Sequence, residues 1–115
     1  MTRPVSGIYK ITNNLNGKIY IGQSQNVYER RIEHFVALRR GVHPNKEMQK
    51  DWNKNSNGFR FDVIEFLQLK ELNEREKYWI DTLGTIENGY NKGWVPYKRK
   101  EKKQRRKIIG YRRRS

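Results

Sequence analysis

The chain has 115 residues, of which 26 are Lys or Arg and 12 are Asp or Glu, and it has no cysteine. That length suits one domain of roughly 100 residues with a tail, large enough for a core of its own, while the absence of cysteine excludes a disulfide framework and any thiolate metal site. The formal charge of +14 points to a polyanionic partner held through counterion release.

Residues 6–12 and 18–22 are short β-branched and aromatic runs around Asn13-Asn14-Leu15-Asn16-Gly17, a set that tolerates turn dihedrals, so a β-hairpin is expected. Its arms mirror each other as Gly7-Ile8-Tyr9 and Tyr20-Ile21-Gly22. A loop over 13–16 would pair Tyr9 with Tyr20, Ile8 with Ile21 and Gly7 with Gly22, setting both phenols on one sheet face. The neighbouring register, Tyr9 against Ile21, would separate them, and both stay open here. A cross-strand aromatic pair also has a purely structural use, stabilising a hairpin by about 0.2–1 kcal/mol.

Asn26 with Glu29 three residues on resembles a capping box, opening a helix that runs to about Arg40 and ends at Gly41. Its expected apolar face is Tyr28, Ile32, Phe35 and Val36. Arg30 and His34, four apart, then share the other side, as a solvated face or as a phosphate clamp. Pro44 suits the first turn of a second helix over about 44–54, with Met48 and Trp52 one turn apart. Asn55 to Gly58 reads as a loop and Phe59 to Leu69 as a third strand. Asn73-Glu74-Arg75-Glu76 repeats the Asn-cap signature, which starts a third helix over about 74–83, stopped by Gly84. Leu72, Trp79, Ile80 and Leu83 form its inward stripe, and at about 100° per residue Glu76 falls inside that stripe. An inward carboxylate costs desolvation energy unless it is paired. Either Glu76 is the third-residue partner of an Asn73 cap, or it faces a cleft and holds a hard cation such as Mg2+.

Asn88-Gly89 makes a turn before Tyr90-Asn91, and Pro96 marks the end of a body domain set at 1–97. The tail, 98–115, carries Lys98, Arg99, Lys100, Lys102, Lys103, Arg105, Arg106, Lys107, Arg112, Arg113 and Arg114 against one acid. It is expected to be disordered without a partner, and its lack of an amphipathic apolar face favours nucleic acid over a membrane surface. No apolar run follows Met1 and none approaches the roughly 18 residues of a membrane span, so a cytoplasmic protein with no membrane association is expected. The order β-β-α-α-β-α gives an α+β fold, a small three-stranded antiparallel sheet flanked by helices with a basic C-terminal tail. Two histidines without cysteine do not suggest zinc, and no GxxxxGKS loop is present.

Gly7-Ile8-Tyr9, Tyr20-Ile21-Gly22, Arg30, Glu76 within EREKYW and Asn91 within NGYN together resemble the GIY-YIG endonuclease family, in order and spacing over residues 6–92. His34-Phe35 and Gly41-Val42-His43 are similar to its homing-endonuclease branch. The resemblance implies a metal-dependent endonuclease hydrolysing phosphodiesters of double-stranded DNA to 5′-phosphate and 3′-hydroxyl ends, with one Mg2+ (or Mn2+) on Glu76. It implies that Arg30 steadies the scissile phosphate, that one of Tyr9 and Tyr20 activates water while the other places it, and that His34 and Asn91 line the site, with His43 a further member. A phenol of ordinary pKa, about 10, needs help to act as a base; the cation, Lys18 or Lys10 could lower it, or His34 could take its proton. The short tail can hold phosphates but offers little for reading bases, so either weak sequence preference or targeting by a homodimer or a separate protein is expected. Two other readings compete: a non-catalytic nucleic-acid-binding module of the same fold, and a small basic structural protein of a ribonucleoprotein.

Overall fold

The computed structural model describes residues 4–99; Lys100, Lys102, Lys103, Arg105, Arg106, Lys107, Arg112, Arg113 and Arg114 lie outside the described residues. Strands β1 (Gly7–Asn13) and β2 (Ile19–Ser24) form the hairpin, and β3 (Phe59–Phe66) pairs with the other side of β1, giving an antiparallel sheet in the order β2-β1-β3. β3 stops at Phe66 rather than Leu69 because Leu69–Glu71 tighten into a 3-10 turn that leads into the next helix.

The hairpin takes neither expected register. Tyr9 faces Gly22, Lys10 faces Ile21 and Ile11 faces Tyr20. The cause lies in the turn. Gly17 adopts a left-handed φ of 77°, so it belongs to the loop, which Asn13 and Asn16 close by accepting the backbone N–H groups of Leu15 and Lys18. The pairing moves by two residues relative to the mirror, and a shift of two preserves faces. Both tyrosines therefore still share one face, offset diagonally with ring centroids 6.5 Å apart. Gly22 lies under the Tyr9 ring: a Cβ there would sit 2.3 Å from its Oη.

Two apolar layers cover the sheet. On one face Tyr9, Ile11, Phe59, Phe61 and Val63 meet Val27 and Leu38 of α1 (Val27–Arg40), Met48 and Trp52 of α2 (Lys46–Lys54), and Tyr90. On the other, Ile8 and Ile21 meet Leu72 and Ile80 of α3 (Leu72–Leu83), with Trp79 and Trp94 at the margin. A short α4 (Thr85–Asn88), not foreseen from sequence, follows the left-handed Gly84. β1 and β3 shift register between Ile8 and Tyr9, leaving Ile64 without a partner; such a bulge re-aims neighbouring side chains.

Asn26 and Gly41 cap α1 as expected, but its buried face is different. Tyr28 and Ile32 are more than half exposed, and Val27, His34 and Leu38 are buried. A polar imidazole takes the central inward position because the sheet face below it carries a phenol to bond with. Pro44 stands before α2 rather than in it; Asn45 is the N-cap, its side chain accepting from Met48 N–H. α3 begins at Leu72, so Asn73 lies within the helix and caps nothing. Its amide instead joins the backbone of Tyr97 and the side chain of Gln23. This removes the capping account of Glu76.

Candidate active site at the edge of the sheet

Tyr9 heads a chain of buried hydrogen bonds. Its Oη lies 2.7 Å from His34 Nε2, His34 Nδ1 lies 2.8 Å from His43 Nε2, and Asn45 N–H donates to His43 Nδ1 at 3.0 Å. The backbone N–H of Asn45 can only donate, which fixes every proton along the chain. His43 Nδ1 accepts, so its Nε2 carries hydrogen and donates to His34 Nδ1; His34 Nε2 in turn donates to Tyr9. Both imidazoles are neutral in this arrangement. Burial, then the Arg30 and His43 charges, pushes the His34 pKa down to about 3, and burial followed by Arg30 lowers that of His43. The expectation that His34 takes a proton from Tyr9 is therefore reversed: His34 gives a hydrogen bond, and the Tyr9 hydroxyl hydrogen is left for the cleft. The Tyr9 ring is held flat on Phe61, centroids 4.9 Å apart.

Arg30 projects from the first turns of α1 and donates to Glu33 at 2.9 Å. With both partners about half exposed, this pair is weak, worth at most about 1 kcal/mol, and the guanidinium is free to exchange it for a phosphate. Burial raises the pKa of Tyr9 well above the phenol range and also raises that of Tyr20; the Arg30 charge opposes both shifts.

Glu76 comes from the opposite side of the sheet. β2 is an edge strand, and a cleft of about 920 Å³ wraps around that edge, lined by Tyr9, Tyr20, Gly22, Gln23, Arg30 and Glu76 and bounded by Val95–Arg99. Glu76 Oε1 accepts from Gln23 Nε2 at 2.8 Å and from Trp94 Nε1 at 3.0 Å. Among the described residues no hydrogen bond reaches Oε2. Burial raises the Glu76 pKa, against the two donors and the Arg99 charge. One carboxylate oxygen facing a wet cleft fits a hard cation that keeps most of its own water, as Mg2+ does, and suits neither a zinc site nor a calcium cage.

The remaining expected residues fall into distinct places. His34, His43 and Asn91 line a second hollow of about 550 Å³ that shares Tyr20, Arg30 and Glu33 with the cleft. Asn91 turns its amide to the β2 edge, accepting from Ile21 N–H at 2.8 Å and donating to Ile21 C=O at 3.0 Å. Next to it Tyr90 N–H reaches the Ile19 carbonyl at 2.9 Å, and a Cβ on Gly89 would lie 2.4 Å from that oxygen. The NGYN segment thus closes an open strand edge. Lys18 pairs with Glu47 and lines neither hollow. Lys10 alternates with Tyr9 and so faces the other side of the sheet. Of the tail, Lys98 and Arg99 are described: both line the cleft, and Arg99 Nη2 donates to Gln23 Oε1 at 2.6 Å.

Gln23, Asn45 and Trp94 touch the site and are not among the expected residues, while Arg99, expected as a phosphate contact of the tail, is found bonded to Gln23. Asn45 is only two residues from His43 but acts through its backbone N–H, which carries no sequence signal, and the others act across separations that no periodicity marks.

Residues 5–91 match the family described as the GIY-YIG catalytic domain. Intron-associated endonuclease 1 of Enterobacteria phage T4 is 38% identical over 88 residues, covering 75% of this chain and 36% of the phage protein, so the chain spans little more than a third of that relative's length. A solved catalytic domain of intron endonuclease I-TevI, with a glutamate replaced by alanine, aligns with a TM-score of 0.74 at 33% identity over 82% of this chain and 99% of that one. A second structure, the catalytic domain of homing endonuclease I-TevI, aligns at 0.72 with 35% identity over 77% and 99%. With the sheet order, the paired tyrosines and the cleft arginine and glutamate all within the matched region, the chain belongs to the GIY-YIG catalytic domain family.

Proposed function

We propose that this chain is an endonuclease domain that hydrolyses phosphodiesters of double-stranded DNA with one Mg2+ or Mn2+ held by Glu76. The observation that carries the reading is the convergence of Tyr9, Tyr20, Arg30 and Glu76 on one cleft from opposite faces of the sheet. A module that only bound nucleic acid would have no use for a half-buried carboxylate among phenols. The endonuclease names of the relatives agree with it.

The residues divide the work as follows. Arg30 leaves Glu33 and holds the scissile phosphate through a planar pair of N–H donors. When bound, the ion supplies charge stabilisation at the phosphoryl and leaving oxygens and lowers the pKa of water. Tyr9, receiving a hydrogen bond from His34, presents its own O–H to the reacting group. Were Tyr9 first to give that proton to a hydroxide ion from solvent, forming water, the phenolate left behind would face an imidazole N–H and the Arg30 charge and could take a proton from the attacking water. Tyr20 faces both hollows and positions the nucleophile. Asn91 keeps the strand carrying Tyr20 and Gly22 in place. Lys98, Arg99 and the basic residues beyond them extend the phosphate contacts away from the cleft, and a homodimer or a separate protein directs the domain to its target.

Supercoiled plasmid tests this. Nicking is expected in Mg2+ and should vanish in EDTA and in Glu76→Ala. Nicking that survives either condition ends the metal role. Binding without cleavage on every duplex tried would favour the non-catalytic module.

A further inference from the structure

The segment Gly93–Arg99 has no helix or strand, yet it is tied down at three points, and all three lead to Glu76. The Trp94 indole packs beside the second core and donates to Glu76 Oε1. Tyr97 is fixed by Asn73, whose amide accepts its N–H at 2.9 Å and donates to its C=O at 3.0 Å. Arg99 stacks over the Tyr97 ring at 5.0 Å and donates to Gln23 Oε1 at 2.6 Å. Gln23 Nε2 divides its two hydrogens between Asn73 Oδ1 and Glu76 Oε1, both at 2.8 Å.

These contacts leave Gln23 one orientation. Rotating its amide by half a turn would set its oxygen against two acceptors and its nitrogen against an arginine donor. The Trp94 indole can only donate. Two donors of fixed sense therefore converge on Oε1 and use its acceptor directions, while Oε2 is left to the cleft.

We propose that Gln23 and Trp94 are positioning residues that make Glu76 a single-oxygen ligand, with Arg99 and Asn73 locking Gln23 so that the strap 93–99 sets cation affinity. This rests on the reading of Glu76 as the cation ligand. Partners that orient a metal-binding carboxylate typically change affinity or activity 10–100-fold when removed.

The test uses Trp94→Phe, which keeps the ring and deletes the N–H, and its combination with Gln23→Met, which keeps the length and deletes both amide groups. Mn2+ binding to the full chain is followed by the EPR signal of the free ion, beside Glu76→Ala. The double variant should bind Mn2+ about 10–100-fold more weakly and need correspondingly more Mn2+ for half-maximal nicking. Saturating Mn2+ should recover most of kcat. In the parent, adding Mg2+ should shift the Trp94 indole N–H resonance and leave that of Trp52, in the other core, in place. Mn2+ affinity within twofold of the parent, in variants that melt normally while Glu76→Ala has lost binding, overturns the positioning role and spares the metal reading. If Glu76→Ala binds Mn2+ as the parent does, both fall. Should the double variant fail to fold, Trp94→Phe and the indole resonance decide the matter.

Discussion

Adding one methyl group at Gly22 should cost this protein both stability and rate. An ideal Cβ at that position lies 2.3 Å from Tyr9 Oη, 2.4 Å from Cζ and 2.9 Å from Cε1, where ordinary contact needs about 3.4 Å or more. The ring must move by about 1 Å, and it has little room, since Phe61 backs it at 4.9 Å. The Tyr9–His34 bond, 2.7 Å in the parent, would then stretch beyond hydrogen-bonding range. Overpacking costs about 1–3 kcal/mol and the lost bond about 0.5–1.5, so Gly22→Ala should be less stable by roughly 2–4 kcal/mol in urea titration. A shift of about 1 Å in a reacting group typically reduces turnover on the order of 100-fold, which single-turnover nicking would read. A double-mutant cycle with Tyr9→Ala isolates the cause: if the methyl acts through the ring, the two changes should be coupled by more than about 1 kcal/mol. Gly22→Ala with stability within about 0.5 kcal/mol of the parent and an unchanged rate would refute the placement of the ring over the strand.

Two further outcomes follow from the buried chain and the strand edge. The His34 pKa falls from 6.5 unfolded to about 3 folded, so the unfolded state binds more protons between those values. The contribution is complete above about pH 6.5 and is lost as pH falls toward 3; it is on the order of 5 kcal/mol. The difference in unfolding free energy between pH 7.5 and 4.5 should shrink by about 2–3 kcal/mol in His34→Gln, and an equal difference in both proteins would mean that the imidazole is not desolvated. Asn91→Ala leaves the N–H and C=O of Ile21 without partners and should cost about 2–4 kcal/mol, read as a lower melting temperature; a normal melt with a reduced rate would make Asn91 a substrate contact instead.

What the sequence disclosed was largely local. Asn26, Gly41 and Gly84 mark helix ends by chemistry within a few residues, and each stands where expected. The hairpin register was not legible because it turns on which loop residue takes a positive φ, and Gly17 rather than the mirrored tripeptides decides it. The inward face of α1 was misjudged for a related reason. His34 counts as polar in any periodicity, yet it has the burial of a core residue because Tyr9 and His43 satisfy both of its nitrogens. Asn73 copied a cap signature while serving a partner 24 residues away. Glu76 stood out because a carboxylate interrupts an apolar stripe, but the residues that hold it, Gln23 and Trp94, lie 53 and 18 positions distant.

The cleft draws its phenols from one side of the sheet and its carboxylate from the other. The first 70 residues hold both tyrosines, the arginine and the histidine pair, but not Glu76. On the proposed mechanism, hydrolytic competence therefore waits until the third helix docks beneath the hairpin and brings Glu76 to the cleft.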